Sequence, residues 1–387
     1  MNKLNSIKLG LLFAAALGIA ACGGKESVRE PAELVDIENP RIKPKRVWGA
    51  SAGDGSDGKI SGLRLRLESD ALYAADVDGH VYAYAQDSGK RLWRVDTDSR
   101  VISGPTVSGD TIYVGTLDAE VIALKRADGS EKWRKKMSSE VLGPPASEGG
   151  IVVARTVDGR VYGLSTSGGE RIWSFDRLVP SLVLRGSSSP LLAAGRVFIG
   201  MDNGRIVSLR VTDGQPVWEQ AVATPSGRTE LERLIDIDGD LVAAPSCVIA
   251  GSFGGEVACI QPDSGEIVWR RSIRSYTSMA LSSDKVYVTD DAGVLWALDL
   301  ATGAAAWKQE DMAYRRLSAP AFFDGFVVVG DFEGYLHWID PDTGEMVARS
   351  RVGSDPILTA PVAGTDRLFV MGSTGRIAAI EANPVTR

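Results

Sequence analysis

Few side chains in this sequence combine the residue types and spacings that chemistry requires. The two histidines, His80 and His337, lie on third strands of repeats far apart in the chain, and other repeats have Arg, Glu or Tyr where the first has His80. That variation favours a polar surface residue over a general base. We find no Cys-Cys pair, metal-ligand cluster, nucleophile elbow or phosphate-binding loop. The sequence predicts no enzyme, no cofactor and no metal.

The first cysteine ends an N-terminal targeting segment. Lys3 and Lys8 precede the apolar run LGLLFAAALGIAA, which is too short for a stable membrane span. The run leads into Ile19-Ala20-Ala21-Cys22, which resembles the lipobox of bacterial lipoproteins. The resemblance implies removal of residues 1–21 and acylation of Cys22, and Gly23 in place of Asp implies transfer to the outer membrane. The alternative is an ordinary secretory signal with an incidental cysteine.

The other two cysteines, Cys247 and Cys259, flank a predicted hairpin. With Phe253 at the centre of the turn they lie directly opposite each other, and cross-strand Cβ atoms are then ~4.5–5.5 Å apart. A disulfide is feasible at that distance in an oxidising compartment. Two small buried thiols are the alternative.

Composition bounds the remaining function classes. The chain has 387 residues with 44% hydrophobic and 24% charged residues, which is ordinary for a folded protein with a large core. A formal charge of −7 argues against nucleic acid as a partner, since phosphate binding requires an excess of Lys and Arg. Residues 22–45 are polar and proline-containing, and they predict a flexible tether ahead of a folded domain at 46–387.

Internal repetition predicts the fold. Similar units end in tryptophan or its equivalent at 78–93, 118–133, 158–173, 203–218, 254–269, 291–307 and 333–348, and an incomplete eighth unit begins at 373. Each contains short alternating segments separated by Asp-Gly or Thr-Gly turns, which is typical of a four-stranded propeller blade. We therefore predict an all-β, eight-bladed β-propeller with antiparallel blades. The strand around Val47-Trp48 is expected to complete the last blade and close the ring.

The repeat ALDLATGAAAW at 297–307 resembles the tryptophan-docking motif of pyrroloquinoline-quinone propellers. The resemblance concerns architecture, and each Trp is expected to pack between neighbouring blades. A quinoprotein dehydrogenase is one alternative function, although fold alone does not establish it. A propeller that binds cell wall or carbohydrate is another.

Two connections between blades are enlarged. The interval from the blade tryptophan to the next proline is 12 or 13 residues in three cases, and it is 13 from Ala348, which takes the tryptophan position, to Pro361. It is 17 from Trp173 to Pro190 and 27 from Trp218 to Pro245. Insertions in repeat proteins often form the binding face. These two should emerge side by side on one face of the propeller.

The enlarged connections combine aliphatic and charged residues. The first contains Leu182, Leu184 and Arg185, and the second contains Asp236 and Asp238. Aliphatic anchors with an arginine are typical of a protein–protein interface. The alternative is that the two leucines begin an inner strand and face the core.

The segment Ser181-Leu-Val-Leu-Arg-Gly186 and the Asp236-Ile-Asp238 triplet, within a lipoprotein propeller, resemble the BamB family of outer-membrane protein assembly factors. In that family the two segments dock on a periplasmic POTRA domain of BamA. The resemblance implies a non-catalytic scaffold of the BAM complex, anchored by lipid in the outer membrane and facing the periplasm. The expected contact residues are those five side chains, and unfolded outer-membrane proteins are a further expected partner. After Asp238 the sequence departs from the family pattern, which leaves the path of the second connection open.

Overall fold

The computed structural model describes residues 29–58, 61–177, 188–225, 228–229 and 234–385. The chain divides into two units, Met1–Glu30 and Pro31–Arg387, and all the strands lie in the second. Over the described ranges the secondary structure is entirely β, without a helix. In this part of the chain, accordingly, no helix has the length and apolar character to cross a membrane.

The unit Pro31–Arg387 is an eight-bladed β-propeller, as the repeats predicted. Its strands in chain order are β1 (Ile42–Ser51), β2 (Gly62–Leu63), β3 (Arg66–Leu67), β4 (Leu72–Ala75), β5 (His80–Tyr84), β6 (Arg91–Asp96), β7 (Val101–Ser108), β8 (Thr111–Thr116), β9 (Glu120–Lys125), β10 (Glu131–Lys136), β11 (Ala146–Glu148), β12 (Ile151–Arg155), β13 (Arg160–Ser165), β14 (Arg171–Asp176), β15 (Leu191–Ala193), β16 (Arg196–Gly200), β17 (Arg205–Arg210), β18 (Pro216–Ala221), β19 (Val242–Ala243), β20 (Val248–Gly251), β21 (Val257–Ile260), β22 (Ile267–Arg271), β23 (Ala280–Leu281), β24 (Lys285–Thr289), β25 (Leu295–Asp299), β26 (Ala305–Gln309), β27 (Ala321–Phe323), β28 (Phe326–Gly330), β29 (Tyr335–Ile339), β30 (Met346–Arg351), β31 (Val362–Ala363), β32 (Leu368–Met371) and β33 (Arg376–Pro384). Blades 1 to 7 are formed by β3–β6, β7–β10, β11–β14, β15–β18, β19–β22, β23–β26 and β27–β30.

The two middle strands of each blade supply most of the core. In blade 3, Ile151–Arg155 is buried along its whole length, because neighbouring blades cover both faces of the sheet. Such a strand is apolar without strict alternation, as expected when neither face meets water. The following turn ends at Gly159, whose φ of +84° lies in the left-handed region that glycine adopts without strain. Local turn chemistry and burial therefore specify the same hairpin.

Blade 8 confirms the predicted closure. It consists of β31, β32, β33 and β1, with β1 on the outer edge. The pairing of β1 and β33 is antiparallel and runs from Ile42 opposite Pro384 to Ser51 opposite Arg376. The two ends of the propeller chain are thus joined by one of the longest strand pairings in the molecule.

The boundary between tether and propeller differs from the prediction. We expected a flexible tether over 22–45, but β1 begins at Ile42, and residues before it also contact blade 7 and the connection that precedes it. The Ala32 amide donates to Ala313 O (2.8 Å), Arg349 Nη1 donates to Val35 O (2.9 Å), and Arg41 pairs with Asp340. Sequence pattern misses this stretch because its contacts use backbone groups and scattered arginines, without periodic apolar residues.

Tryptophans link seven of the eight blade junctions. Each donates its indole N–H to a carbonyl in the turn between the third and fourth strands of the next blade, at 2.8–3.2 Å. The pairs are Trp48–Gln86, Trp93–Arg126, Trp133–Thr166, Trp173–Val211, Trp218–Pro262, Trp269–Leu300 and Trp307–Pro341. At the junction of blades 7 and 8, Ala348 takes the place of Trp. We call the side of the ring that contains these turns the tryptophan face.

A short strand that the repeats did not predict lies inside the ring. After β1 the chain enters the centre of the propeller, and β2 pairs in parallel with Ser103 and Gly104 of the inner strand of blade 2. A Cβ atom on Gly62 would lie 2.3 Å from the Leu142 carbonyl oxygen, so only glycine allows this approach. The residues after Gly62 are thereby held among the inner strands.

Candidate functional site

The enlarged connections lie on the face opposite the tryptophan face, which we call the connection face. The first joins β14 to β15 and the second joins β18 to β19. Their described ends are in direct contact, because the Ser189 amide donates to Asp240 Oδ1 at 2.8 Å. The predicted proximity of the two connections is therefore confirmed at these residues. Leu182, Leu184 and Arg185 lie outside the described residues, so their partner-binding role stays a prediction.

Apolar side chains hold the end of the second connection against the propeller. Ile235 and Ile237 are 5% and 0% exposed. A Cβ atom on Gly254 would lie 2.2 Å from Ile235 Cγ2, and one on Gly200 would lie 2.5 Å from Ile237 Cγ2. These glycines of blades 5 and 4 admit the two isoleucines. Isoleucines alternate here with aspartates, so the same packing determines where the carboxylates lie.

The surroundings of Asp238 disfavour the ionised form of its carboxyl group. Burial, together with the nearby carboxylates of Asp236 and Asp202, raises the pKa of Asp238 to about 7, although Arg155 acts in the opposite direction. Asp238 Oδ1 is buried and accepts no hydrogen bond within the described structure. Two of the hydrogen bonds that Arg155 donates go to Gly200 O at 2.9 Å and to Asp202 Oδ1 at 2.5 Å. The site therefore favours an additional positive charge or hydrogen-bond donor.

Asp236 is buried, although the sequence analysis predicts it as a partner-contact residue. Its side chain is only 1% exposed, and its backbone carbonyl accepts a hydrogen bond from the Phe253 amide at 2.9 Å. The cause is the flanking Ile235 and Ile237, which place this stretch between blades 4 and 5. Asp238 is the more accessible of the pair, and the nearby charge of Asp236 helps to raise the pKa of Asp238. Both aspartates remain predicted contact residues.

An arginine that the sequence did not single out joins the two connections. Arg64, which follows β2, pairs with Asp240 and donates from Nη2 to Ser189 Oγ at 3.0 Å. Desolvation of Asp240 acts to raise its pKa, but the Arg64 charge and the Ser189 hydrogen bonds outweigh it and lower the pKa of Asp240. No sequence signal identifies this pair, because 176 residues separate its members.

The histidines hold turns between strands. His337 is fully buried, and its Nε2 lies 2.9 Å from Asp331 Oδ2, so it has no access to solvent. Its burial also lowers its pKa. His80 is 17% exposed, and its Nδ1 lies 2.9 Å from Asp76 Oδ2 in the corresponding turn of blade 1. The two aspartates occupy corresponding turns, although His80 lies 4 and His337 lies 6 residues after its aspartate, so the histidines contact the same turn from different positions. Both pairs indicate a structural role. Among the described residues, no three His, Cys, Asp or Glu side chains are grouped as metal ligands would be.

Cys247 and Cys259 form a disulfide, with an S–S distance of 2.13 Å and a Cα–Cα distance of 5.5 Å. The predicted register was wrong, since Cys259 lies opposite Ile249. The Ser252 amide donates to Glu256 O, which centres the turn on Gly254 instead of Phe253. Side chains alternate along a strand, so a two-residue shift leaves Cys247 on the same face as Cys259, in a diagonal position. Diagonal neighbours here are close enough to bond.

The fold and this site define a tryptophan-docking propeller whose two enlarged connections meet on one face. A family model described as outer membrane protein assembly factor BamB matches residues 77–309. A BamB of Alkalilimnicola ehrlichii is 50% identical over 368 residues, which is 95% of each chain. One of Escherichia coli K12 is 34% identical over 382 residues, covering 96% of this chain and 97% of that protein.

The chain belongs to the outer membrane protein assembly factor BamB family. The crystal structure of BamB from Moraxella catarrhalis matches with a TM-score of 0.80 at 25% identity, over 88% of this chain and 100% of that one. A quinohemoprotein alcohol dehydrogenase from Comamonas testosteroni matches with a TM-score of 0.71 at 13% identity over 89% of this chain and 77% of its own. That likeness is one of fold alone. The family is one of assembly factors, so the quinoprotein alternative is not supported.

Proposed function

We propose that this chain is a scaffold subunit of the β-barrel assembly machinery, and that its enlarged connections dock on a periplasmic POTRA domain of BamA. Membership of the assembly-factor family supports the general role. The observation that supports the place of docking is the contact of the two connections at Ser189 and Asp240, which lie four residues after Arg185 and two residues after Asp238 in the sequence.

Each proposed contact residue has a distinct part. Leu182 and Leu184 supply apolar anchors, and Arg185 supplies a planar cation suited to carboxylates and carbonyls. Asp238 presents a carboxylate without a hydrogen-bond partner at Oδ1 among the described residues, and Asp236 adds negative charge below it. A donor or cation from the partner would satisfy this oxygen and hold Asp238 in its charged form. The interface would then combine an apolar centre with complementary charge.

The membrane location is part of the same proposal. Acylation of Cys22 would anchor the chain in the outer membrane, with the propeller in the periplasm. The disulfide between Cys247 and Cys259 supports an oxidising compartment, since such bonds are rare in the cytosol. Mass spectrometry of the chain extracted from membranes tests the anchor, and an unmodified Cys22 would refute it.

Unfolded outer-membrane proteins are the proposed substrates, and the outer strands of the blades are candidate sites for them. The residue before the docking tryptophan is an exposed aliphatic side chain in several blades, at Leu92 (53%), Ile172 (50%), Val217 (47%) and Val268 (53%). Outer strands also have one unpaired edge. An extended chain can add to such an edge through main-chain hydrogen bonds while its side chains contact these residues.

Copurification with BamA tests the docking proposal. Arg185→Ala and Leu182→Ala should reduce the amount of BamA recovered with the chain, because each removes a central contact. Arg100→Ala is the matched control: Arg100 is exposed on the same face and pairs with Asp118, away from both enlarged connections. All three variants should keep the wild-type melting temperature within a few degrees. Wild-type recovery by a folded Arg185→Ala, Leu182→Ala double variant would refute docking through this segment.

A further inference from the structure

We propose that Arg64 is a positioning residue for partner docking, because it joins the ends of both enlarged connections from the centre of the propeller. This inference rests on the docking proposed above. It adds a residue that would not touch the partner and that lies in neither connection.

The backbone of Arg64 is fixed independently of the connections. Its amide donates to Gly104 O at 3.1 Å, continuing the pairing of β2 with the inner strand of blade 2. The adjacent Leu63 and Leu65 are 1% and 4% exposed, so both flanking side chains are buried. The guanidinium therefore projects from a rigid support.

The guanidinium of Arg64 reaches both enlarged connections, the one that leads into blade 4 and the one that leads into blade 5. Its two terminal nitrogens contact Asp240 and Ser189, and Asp240 Oδ1 also accepts the Ser189 amide hydrogen at 2.8 Å. Ser189 lies four residues after Arg185, and Asp240 lies two residues after Asp238. One cation thus links residues near the ends of both enlarged connections to each other and to the inner strand of blade 2.

The Asp240 side of this arrangement is also constrained. The Asp240 amide donates to Ser278 Oγ at 3.0 Å, and a Cβ atom on Gly239 would lie 2.3 Å from Thr277 O. Asp240 is 21% exposed and Arg64 is 34% exposed, so the pair is partly shielded from water. Removal of Arg64 would leave the carboxylate without its cation and loosen the link to Ser189. The connections would then have to be ordered during docking, which weakens binding.

The test measures the affinity of the purified full chain for purified BamA in detergent. Arg64→Met, which keeps the length of the side chain and removes its charge, should weaken binding on the order of tenfold. Arg64→Lys should recover part of that loss, because a lysine restores the charge but not both contacts. Arg100→Met is the control, since it removes an Arg–Asp pair of the same face that contacts none of the described residues of the enlarged connections.

A purely structural role would lower the melting temperature and leave the affinity of the folded protein unchanged. Hydrogen exchange separates the two roles: faster exchange at 188–190 and 234–241 with tenfold weaker binding supports the proposal. Wild-type affinity of folded Arg64→Met overturns it. If that variant does not fold, Ser189→Ala replaces it, because it removes the contacts of the serine hydroxyl with Arg64 and Asp240 and keeps the backbone amide, and unchanged affinity again overturns the proposal.

The outcome is distinguishable from failure of the docking itself. If Arg185→Ala also binds BamA with wild-type affinity, the proposed docking surface is wrong, and the role of Arg64 falls with it. If Arg185→Ala weakens binding while Arg64→Met does not, only the positioning role is wrong.

Discussion

The two faces of this propeller differ in how their contacts arise: one face repeats a single contact, and the other contains segments that do not repeat. On the tryptophan face, one contact recurs at seven junctions with indole-to-carbonyl distances between 2.8 and 3.2 Å. On the connection face, the segments between blades 3, 4 and 5 are longer than the other measured connections, and their described ends are joined through Asp240, Ser189 and Arg64. The repeated face stabilises the ring, whereas the connection face is where the chain departs from what stability requires. Substitutions on the two faces should therefore have separable effects.

The largest effect on stability is expected at a docking tryptophan. Trp133 is 7% exposed, and its indole donates to Thr166 O at 2.9 Å while Gly169 packs on the ring. Trp133→Ala should lower the free energy of unfolding by about 3–5 kcal/mol, because it opens a cavity between two blades and leaves a carbonyl unsatisfied. Chemical denaturation measures the loss. The folded fraction should still bind BamA, and a selective loss of binding without destabilisation would contradict the division between the faces.

The disulfide in blade 5 should have the next largest effect. Only this blade contains a pair of cysteines, and the bond encloses a short loop with a sequence separation of 12. Replacement of both cysteines by alanine should destabilise the chain by about 2–3 kcal/mol, mainly by giving the unfolded chain more freedom. Thermal melting of the double variant against the oxidised and the reduced wild type measures this. Equal melting temperatures of the oxidised and reduced chains would contradict it.

The smallest effect on stability is expected for a substitution of Asp238 on the connection face. This substitution should stabilise the chain, whereas the two changes above destabilise it. The pKa of Asp238 is about 7 in the folded chain, against an ordinary value of 3.8. Between about pH 4 and pH 7, Asp238 is therefore protonated in the folded chain and ionised in the unfolded chain. The stability of the folded chain falls as pH rises through this range. Asp238→Asn removes this loss, so it should stabilise the free chain by about 1–2 kcal/mol at pH 8 and have little effect at pH 4.

The same substitution should weaken binding to BamA, because the partner would lose a charged carboxylate. Gain of stability with loss of binding is typical of a residue kept for function. Melting curves at pH 4 and pH 8, together with affinity at pH 8, measure both effects. A destabilising Asp238→Asn at pH 8 would show that Asp238 supports the fold instead.

Sequence reasoning succeeds where residues repeat and fails where contacts are unique. The blade count, the closure by the strand around Trp48 and the tryptophan contacts follow from a pattern that recurs every 40 residues or so. The strand Gly62–Leu63 is too short to show alternation, and the Arg64–Asp240 pair joins distant positions, so neither leaves a local signal. The burial of Asp236 depends on Ile235 and Ile237, which pack against glycines of two blades. This is a tertiary effect that leaves no local sequence signal.

Site-specific photo-crosslinking in intact cells tests the central claim most directly. A photoreactive residue at Leu184, in the first enlarged connection, is compared with one at Leu92, which is 53% exposed on the outer strand of blade 1. We predict that Leu184 yields a crosslink to BamA and that Leu92 does not. A crosslink to BamA from Leu92 with none from Leu184 would contradict docking through the enlarged connections.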